Sequence, residues 1–199
     1  MLLRILTFVG IVGVLAVSQG DAQVRTSKRD AQSMKQKVAA IAARGEAVSK
    51  EPLRTTVTET ELNSYLLYEL GDTLPGGVVD PAVTIMGTGR VSGRAVVDLD
   101  AVRKASGSTG LFDPRSYLTG QLPVNATGIL RTGNGVGRLE LQSTSVGGVP
   151  IPKLFLQEIV THYSRTADNP DGINLDDEFM LPARIREIQV EPGHAIVVQ

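Results

Sequence analysis

The residues with the most obvious chemical potential in this 199-residue chain are a loop of oxygens, two histidines and a pair of aspartates. ADNPDGINLDDE (Ala167 to Glu178) aligns on a twelve-residue calcium loop with Gly172 sixth, which sets Asn169 third, Asp171 fifth and Glu178 twelfth. The match then fails: Ala167 occupies the first ligand position, Asn174 stands where an apolar eighth residue belongs, and Pro182 interrupts the exiting helix. The segment reads instead as a turn with an Asp-Gly corner followed by a charged surface. His162 and His194 are too few and too isolated for a zinc site. Asp98 and Asp100 share one face of a predicted strand, but no nucleophile, base or oxyanion donor accompanies them, and polar alternation accounts for both. The glycines of GTGRVSG and GNGVG do not follow a strand and open a helix, as a phosphate loop requires, so they are hairpin glycines. Asn125-Ala126-Thr127 fits a glycosylation acceptor but falls inside a predicted strand. No catalytic residues, metal ligands or cofactor are expected, and the chain is expected not to be an enzyme.

Composition narrows the partners. Twenty Lys+Arg against 21 Asp+Glu give a net charge of -1, which offers no broad electrostatic reason to bind nucleic acid. Four Phe, four Tyr and no Trp leave few platforms for stacking bases or sugars. Zero cysteine removes disulfides and thiolate chemistry without choosing a compartment. The N-terminus does suggest an address. Arg4 precedes the apolar run Ile5 to Val17, followed by small residues around Gly20 and Ala22, the order of a secretory signal. The expectation is a signal peptide over 1–22, cleaved or kept as an anchor, and a protein that is periplasmic or membrane-anchored facing the periplasm. Arg25, Lys28, Arg29, Lys35 and Lys37 follow the run, whereas export prefers positive charge before it.

Behind these residues lie the elements that must position them. Residues 23–52 read as a basic helical stalk or linker, Ala-rich at VAAIAAR, able to touch anionic headgroups or simply to be solvated. The folded domain is expected over 53–199. In TVTETELNSYLLYELG, Thr58 and Glu61 make a capping box, Gly71 is placed to end the helix in the left-handed conformation, and Leu62, Leu66 and Leu70 with Tyr65 form one apolar face. Alternation in RVSGRAVVDLD, with Val96 the exception, predicts a strand wet on one side, paired through Gly87-Thr88-Gly89 with the run containing Val83 and Ile85. A second hairpin turns at Gly133-Asn134-Gly135, and a third flanks Glu191-Pro192-Gly193-His194. Between the first two, Lys104 to Gly120 is a long Gly/Ser-rich loop. After GGVPIP, a helix gathers Phe155, Leu156, Ile159, Val160 and Tyr163 into one arc. The expected class is α+β: a single curved antiparallel sheet built from hairpins, packed on or wrapped around two amphipathic helices. On its apolar side Gly93, Ala95, Ala126 and Gly128 either admit a helix closely or leave a trough for an acyl chain.

The order signal, TETELNSYL, hairpins, VGGVPIPKLFLQEIV and LPARIREIQVEPG resembles small exported bacterial proteins, among them the mycobacterial lipomannan-maintenance phospholipid-binding family and related membrane-anchored proteins. Their fold is similar to half of a tubular lipid-binding module. The resemblance implies a lipid groove lined by Leu62, Tyr65, Leu66, Phe155, Leu156, Ile159, Val160 and Tyr163, and lipid or the membrane surface as partner. The alternative expectation is a structural or protein-interaction module of the envelope with no ligand, its loop at Lys104 to Gly120 meeting an envelope protein.

Overall fold

The computed structural model describes residues 25–46, 51–74, 77–98, 100–101, 120–165 and 169–199. The apolar run at Ile5 to Val17, and residues 102–119 of the Gly/Ser-rich loop, lie outside them.

Helix α1 (Lys28–Gly45) opens on Ser27, whose hydroxyl accepts from the Asp30 amide at 3.1 Å. Ala31, Met34 and Ile41 on one face are buried, and Val38 packs beside them. These four positions follow i, i+3, i+7 and i+10, a narrow helical stripe that the Ala-rich, basic composition obscures. The segment expected as a stalk or linker outside the domain is thus corrected: Met34 and Ile41 belong to the main core, and α1 lies against the next helix. Its last residue, Gly45, touches the 181–185 segment closely, since a Cβ there would fall 2.5 Å from Ala183 Cα.

Strand β1 (Arg54–Thr58) leads directly into helix α2 (Glu59–Tyr68). The capping box is present in full: Thr58 Oγ1 accepts from Glu61 N at 3.2 Å, and Glu61 accepts from Thr58 N at 2.9 Å. The helix ends at Glu69, in the right-handed region, and Gly71 opens a short 3-10 turn instead of supplying the expected left-handed stop.

All three predicted hairpins form. β2 (Val78–Gly87) and β3 (Arg90–Asp98) turn at Thr88-Gly89, β4 (Gln121–Gly133) and β5 (Val136–Val146) turn at Asn134-Gly135, and β8 (Glu187–Glu191) and β9 (His194–Val198) turn at Pro192-Gly193. Asn134 and Gly135 take φ of 53° and 81°, the positive pair that a two-residue hairpin turn requires. Short strands β6 (Val149–Pro150) and β7 (Phe179–Met180) both pair with β5, and helix α3 (Lys153–Ser164) follows β6.

The protein is therefore mixed α+β with antiparallel pairing throughout the described strands, but the expected single sheet is two. Six strands run in the order β2-β3-β4-β5-β6 with β7 beside β5, and three run β1-β9-β8. The division arises because the last hairpin pairs with β1 on one side, while its other side meets the large sheet through isolated bonds rather than a ladder. Thr132 stands in for a strand residue there: its hydroxyl accepts from Ile188 N at 2.7 Å and donates to Ile188 O at 3.0 Å. Gly193 N to Ile85 O, Gly89 N to Val190 O and Gly135 N to Arg186 O add to the seam. The main core fills the space among α1, α2, the small sheet and the turn ends of the large one, with Tyr65, Leu66, Val83, Ile85, Val190 and Val197 at its centre. The opposite end of the large sheet, where β2, β4 and β6 begin, projects beyond that core and is called the open end below.

Candidate functional site

Around the TELN stretch of α2 the side chains of Glu59, Glu61, Asn63 and Ser64 hold structure together. Asn63 is 1% exposed and acts as a strand neighbour for β2: its Nδ2 donates to Val83 O at 2.7 Å and its Oδ1 accepts from Val83 N at 2.6 Å. Glu59 accepts from Ile85 N at 2.7 Å. Ser64, fully buried, accepts from Ser27 N at 3.0 Å and so ties the start of α1 to α2. Glu61 collects Ser33 Oγ at 2.6 Å and Lys37 Nζ at 2.7 Å from α1 besides its cap bonds. Burial pushes the Glu61 carboxyl up, but the donors Lys37, Ser33 and Thr58 together outweigh it and hold its pKa at about 2. This is a structural clamp of three elements.

The eight residues expected to line a groove do not share one place. Tyr65 and Leu66 are interior residues of the main core, and Leu62 packs against it. On α3, Val160 is buried and Leu156 half-buried, whereas Phe155 is 56% exposed. The side chains of Ile159 and Tyr163 lie outside the described residues. Helix α2 attaches at β2 while α3 packs on β5, three strands away in the large sheet. Two polar residues outside the apolar arc of α3, Gln157 and Thr161, face protein. Gln157 donates to Ile173 O at 2.9 Å and accepts from Leu175 N at 2.7 Å, and Thr161 donates to Ile173 O at 3.1 Å. The loop at 169–178 is thereby fastened along α3, and its acidic residues serve turns: Asn174 donates to Asp177, and Lys153 bonds Asp176. Among the described residues no cluster of His, Cys, Asp or Glu could hold a metal ion.

What sequence reasoning missed is at the open end. A cleft of about 350 Å3 lies where β2 departs from β3, between Val79↔Val96 and Ala82↔Arg94, with Thr26, Asn63 and Leu67 on its helix side and Pro123 on β4. Asp80 sits on its rim at φ 50°, directly before Pro81, a conformation unfavourable for a residue with a side chain. Arg94, exposed on the opposite rim, has no ion-pair partner among the described residues. Beyond Pro123 the chain closes back on the β5–β6 turn, since Gly147 N donates to Pro123 O at 2.7 Å. That turn leads to Val149, 64% exposed, and then to Leu154 and Phe155, 72% and 56% exposed. A cleft rimmed by Asp80 and Arg94 and an uncovered apolar hook thus share one end of the sheet. The Val-Pro-Ile-Pro stretch carried the signal, because two prolines in an apolar run cannot both enter a buried ladder.

Comparison with known proteins finds no family model that matches the chain and no curated protein that matches it. No helix among the described residues is long and apolar enough to cross a membrane.

Proposed function

We propose that this is a non-enzymatic, exported protein of the cell envelope that binds or shuttles lipid, meeting it at the open end of the six-stranded sheet. The observation that carries this reading is the hook: Val149, Leu154 and Phe155 stand in solvent within seven consecutive residues. Grouped exposed apolar residues of this kind mark surfaces that meet another apolar phase. In this reading the register shifts at Val79/Ala82, Ile85/Gly87 and Thr127/Gly128 bend the large sheet around the amphipathic helices, as in half of a tubular lipid-binding module. The small residues Gly93, Ala95, Ala126 and Gly128 sit in register on one buried face, Gly93 opposite Ala126 and Gly128 opposite Val91. The apolar run at Ile5 to Val17 supplies the export signal or anchor, and the similarity to the lipomannan-maintenance phospholipid-binding proteins extends to role.

Solvent extraction of the protein purified from an envelope fraction, followed by mass spectrometry of the extract, tests the proposal. Stoichiometric lipid, lost when Leu154 and Phe155 are both replaced by Ser, is the expected result. Lipid-free protein that also fails to move labelled lipid between vesicles sinks it.

A further inference from the structure

We infer that the open end docks on the surface of an anionic bilayer, with Leu154 and Phe155 entering the interface while Arg25, Lys28, Arg29 and Arg94 meet the headgroups; this rests on the lipid reading above. The geometry brings the two sets together. Thr26 and Arg94 both line the cleft, so the exposed cations Arg25, Lys28 and Arg29 flank the same opening that carries Arg94. From the cleft, Pro123 bonds Gly147, two residues before Val149 and seven before Leu154. Across the strands the row Ala95↔Val124↔Val146↔Val149 spans three steps of about 4.8 Å, so the cationic and apolar patches lie on the order of 15 Å apart on one end of the molecule.

Charge chooses the occupant. The four cations, like several other arginines, have no ion-pair partner among the described residues; what sets them apart is that they gather around one opening, where they outnumber the neighbouring carboxylates Asp30 and Asp80. Lys28 and Arg29 also occupy the first turn of α1, where the helix dipole disfavours positive charge. Cations kept unpaired at an unfavourable place, beside apolar side chains kept in water, fit a phase that is anionic at its surface and apolar beneath. A nucleic acid would satisfy the cations but not Leu154 and Phe155.

The test is co-sedimentation of the full chain with vesicles of phosphatidylcholine alone, and of phosphatidylcholine mixed with phosphatidylglycerol. The parent is expected to prefer the anionic vesicles, and to lose the preference at about 1 M salt, where the screening length falls to about 3 Å. Lys28→Glu with Arg29→Glu should abolish the preference, weakening binding to the anionic vesicles about fivefold or more per cation. Leu154→Ser with Phe155→Ser should weaken binding to both vesicle types. The Glu variants place acid at a helix start, so their melting temperature should hold and lost binding will not report unfolding. Equal binding of parent and Glu variants to both vesicle types overturns the docking surface but leaves lipid binding to stand on the extraction result. Binding to neither vesicle, with no lipid extracted, overturns both. Salt-sensitive binding to duplex DNA that needs Lys28 and Arg29, without vesicle preference, overturns the bilayer in favour of nucleic acid.

Discussion

Helices α2 and α3 are of similar length and carry similar apolar residues, yet one is fastened at every turn and the other is held along one side. α2 begins in a complete capping box, buries Tyr65 and Leu66, and spends Glu59, Glu61, Asn63 and Ser64 on named partners. α3 begins at Pro152 with no side-chain cap, buries Val160, and leaves Leu154 and Phe155 in solvent. The difference teaches that an oily stripe does not decide whether a helix is core. Polar residues decide it, by fixing which way the stripe must face. On α2 the amides and carboxylates point into the fold and carry the leucines with them. On α3, Gln157 and Thr161 bind the 169–178 loop and turn Phe155 outward.

Substitutions can break or sharpen that contrast. Leu66→Ala, at a site 2% exposed, should cost about 2 to 5 kcal/mol by chemical denaturation, while Leu154→Ala should change stability by less than about 0.5 kcal/mol. Equal losses would erase the distinction. Asn63→Ala leaves both Val83 backbone groups buried without a partner and should cost about 2 to 4 kcal/mol, more than a typical surface substitution by several-fold. Hydrogen exchange should then show the β2 amides near Val83 losing protection first.

Glu61 gives a pH-dependent version of the same test. Its carboxyl titrates at about 2 in the fold against about 4.5 when unfolded, so the stability it contributes is complete above the unfolded value. It is lost as pH falls from about 5 toward 2, on the order of 3 kcal/mol in all. Glu61→Gln should flatten that part of the stability profile, and an unchanged acid limb would show that Glu61 does not hold α1 to α2. The smallest effect concerns Thr132. Thr132→Val removes both bonds to Ile188 while keeping shape, and should cost about 1 to 2 kcal/mol, with amide protection falling along β8 but not along β3.

Most of the local structure was legible because its signals are local. The capping box at Thr58 and Glu61, the Asn134-Gly135 turn and the alternation of β3 each lie within a few residues, and each formed where expected. The errors concern long-range pairing. Nothing in Arg54 to Thr58 announces that its partner is 140 residues away at the chain's last strand, so one sheet was expected where two exist. The stripe of α1 was hidden by alanine and by charge, which speak of solubility and not of neighbours. The expected groove united residues of α2 and α3 that share a periodicity but attach to strands on opposite sides of the sheet. The cleft escaped notice because it depends on a register shift at Asp80 and Pro81, visible only once both strands are in place.

Asn63 has a consequence beyond the stability of one helix. β2 is the outermost strand of the six, and an outermost strand offers its free amides and carbonyls to any second chain that arrives. By answering Val83 on both its donor and its acceptor, Asn63 leaves an intruding strand nothing to pair with at that point, and Glu59 does the same at the Ile85 amide. Two side chains of a ten-residue helix thus occupy part of that edge and disfavour edge-to-edge pairing with a second copy there.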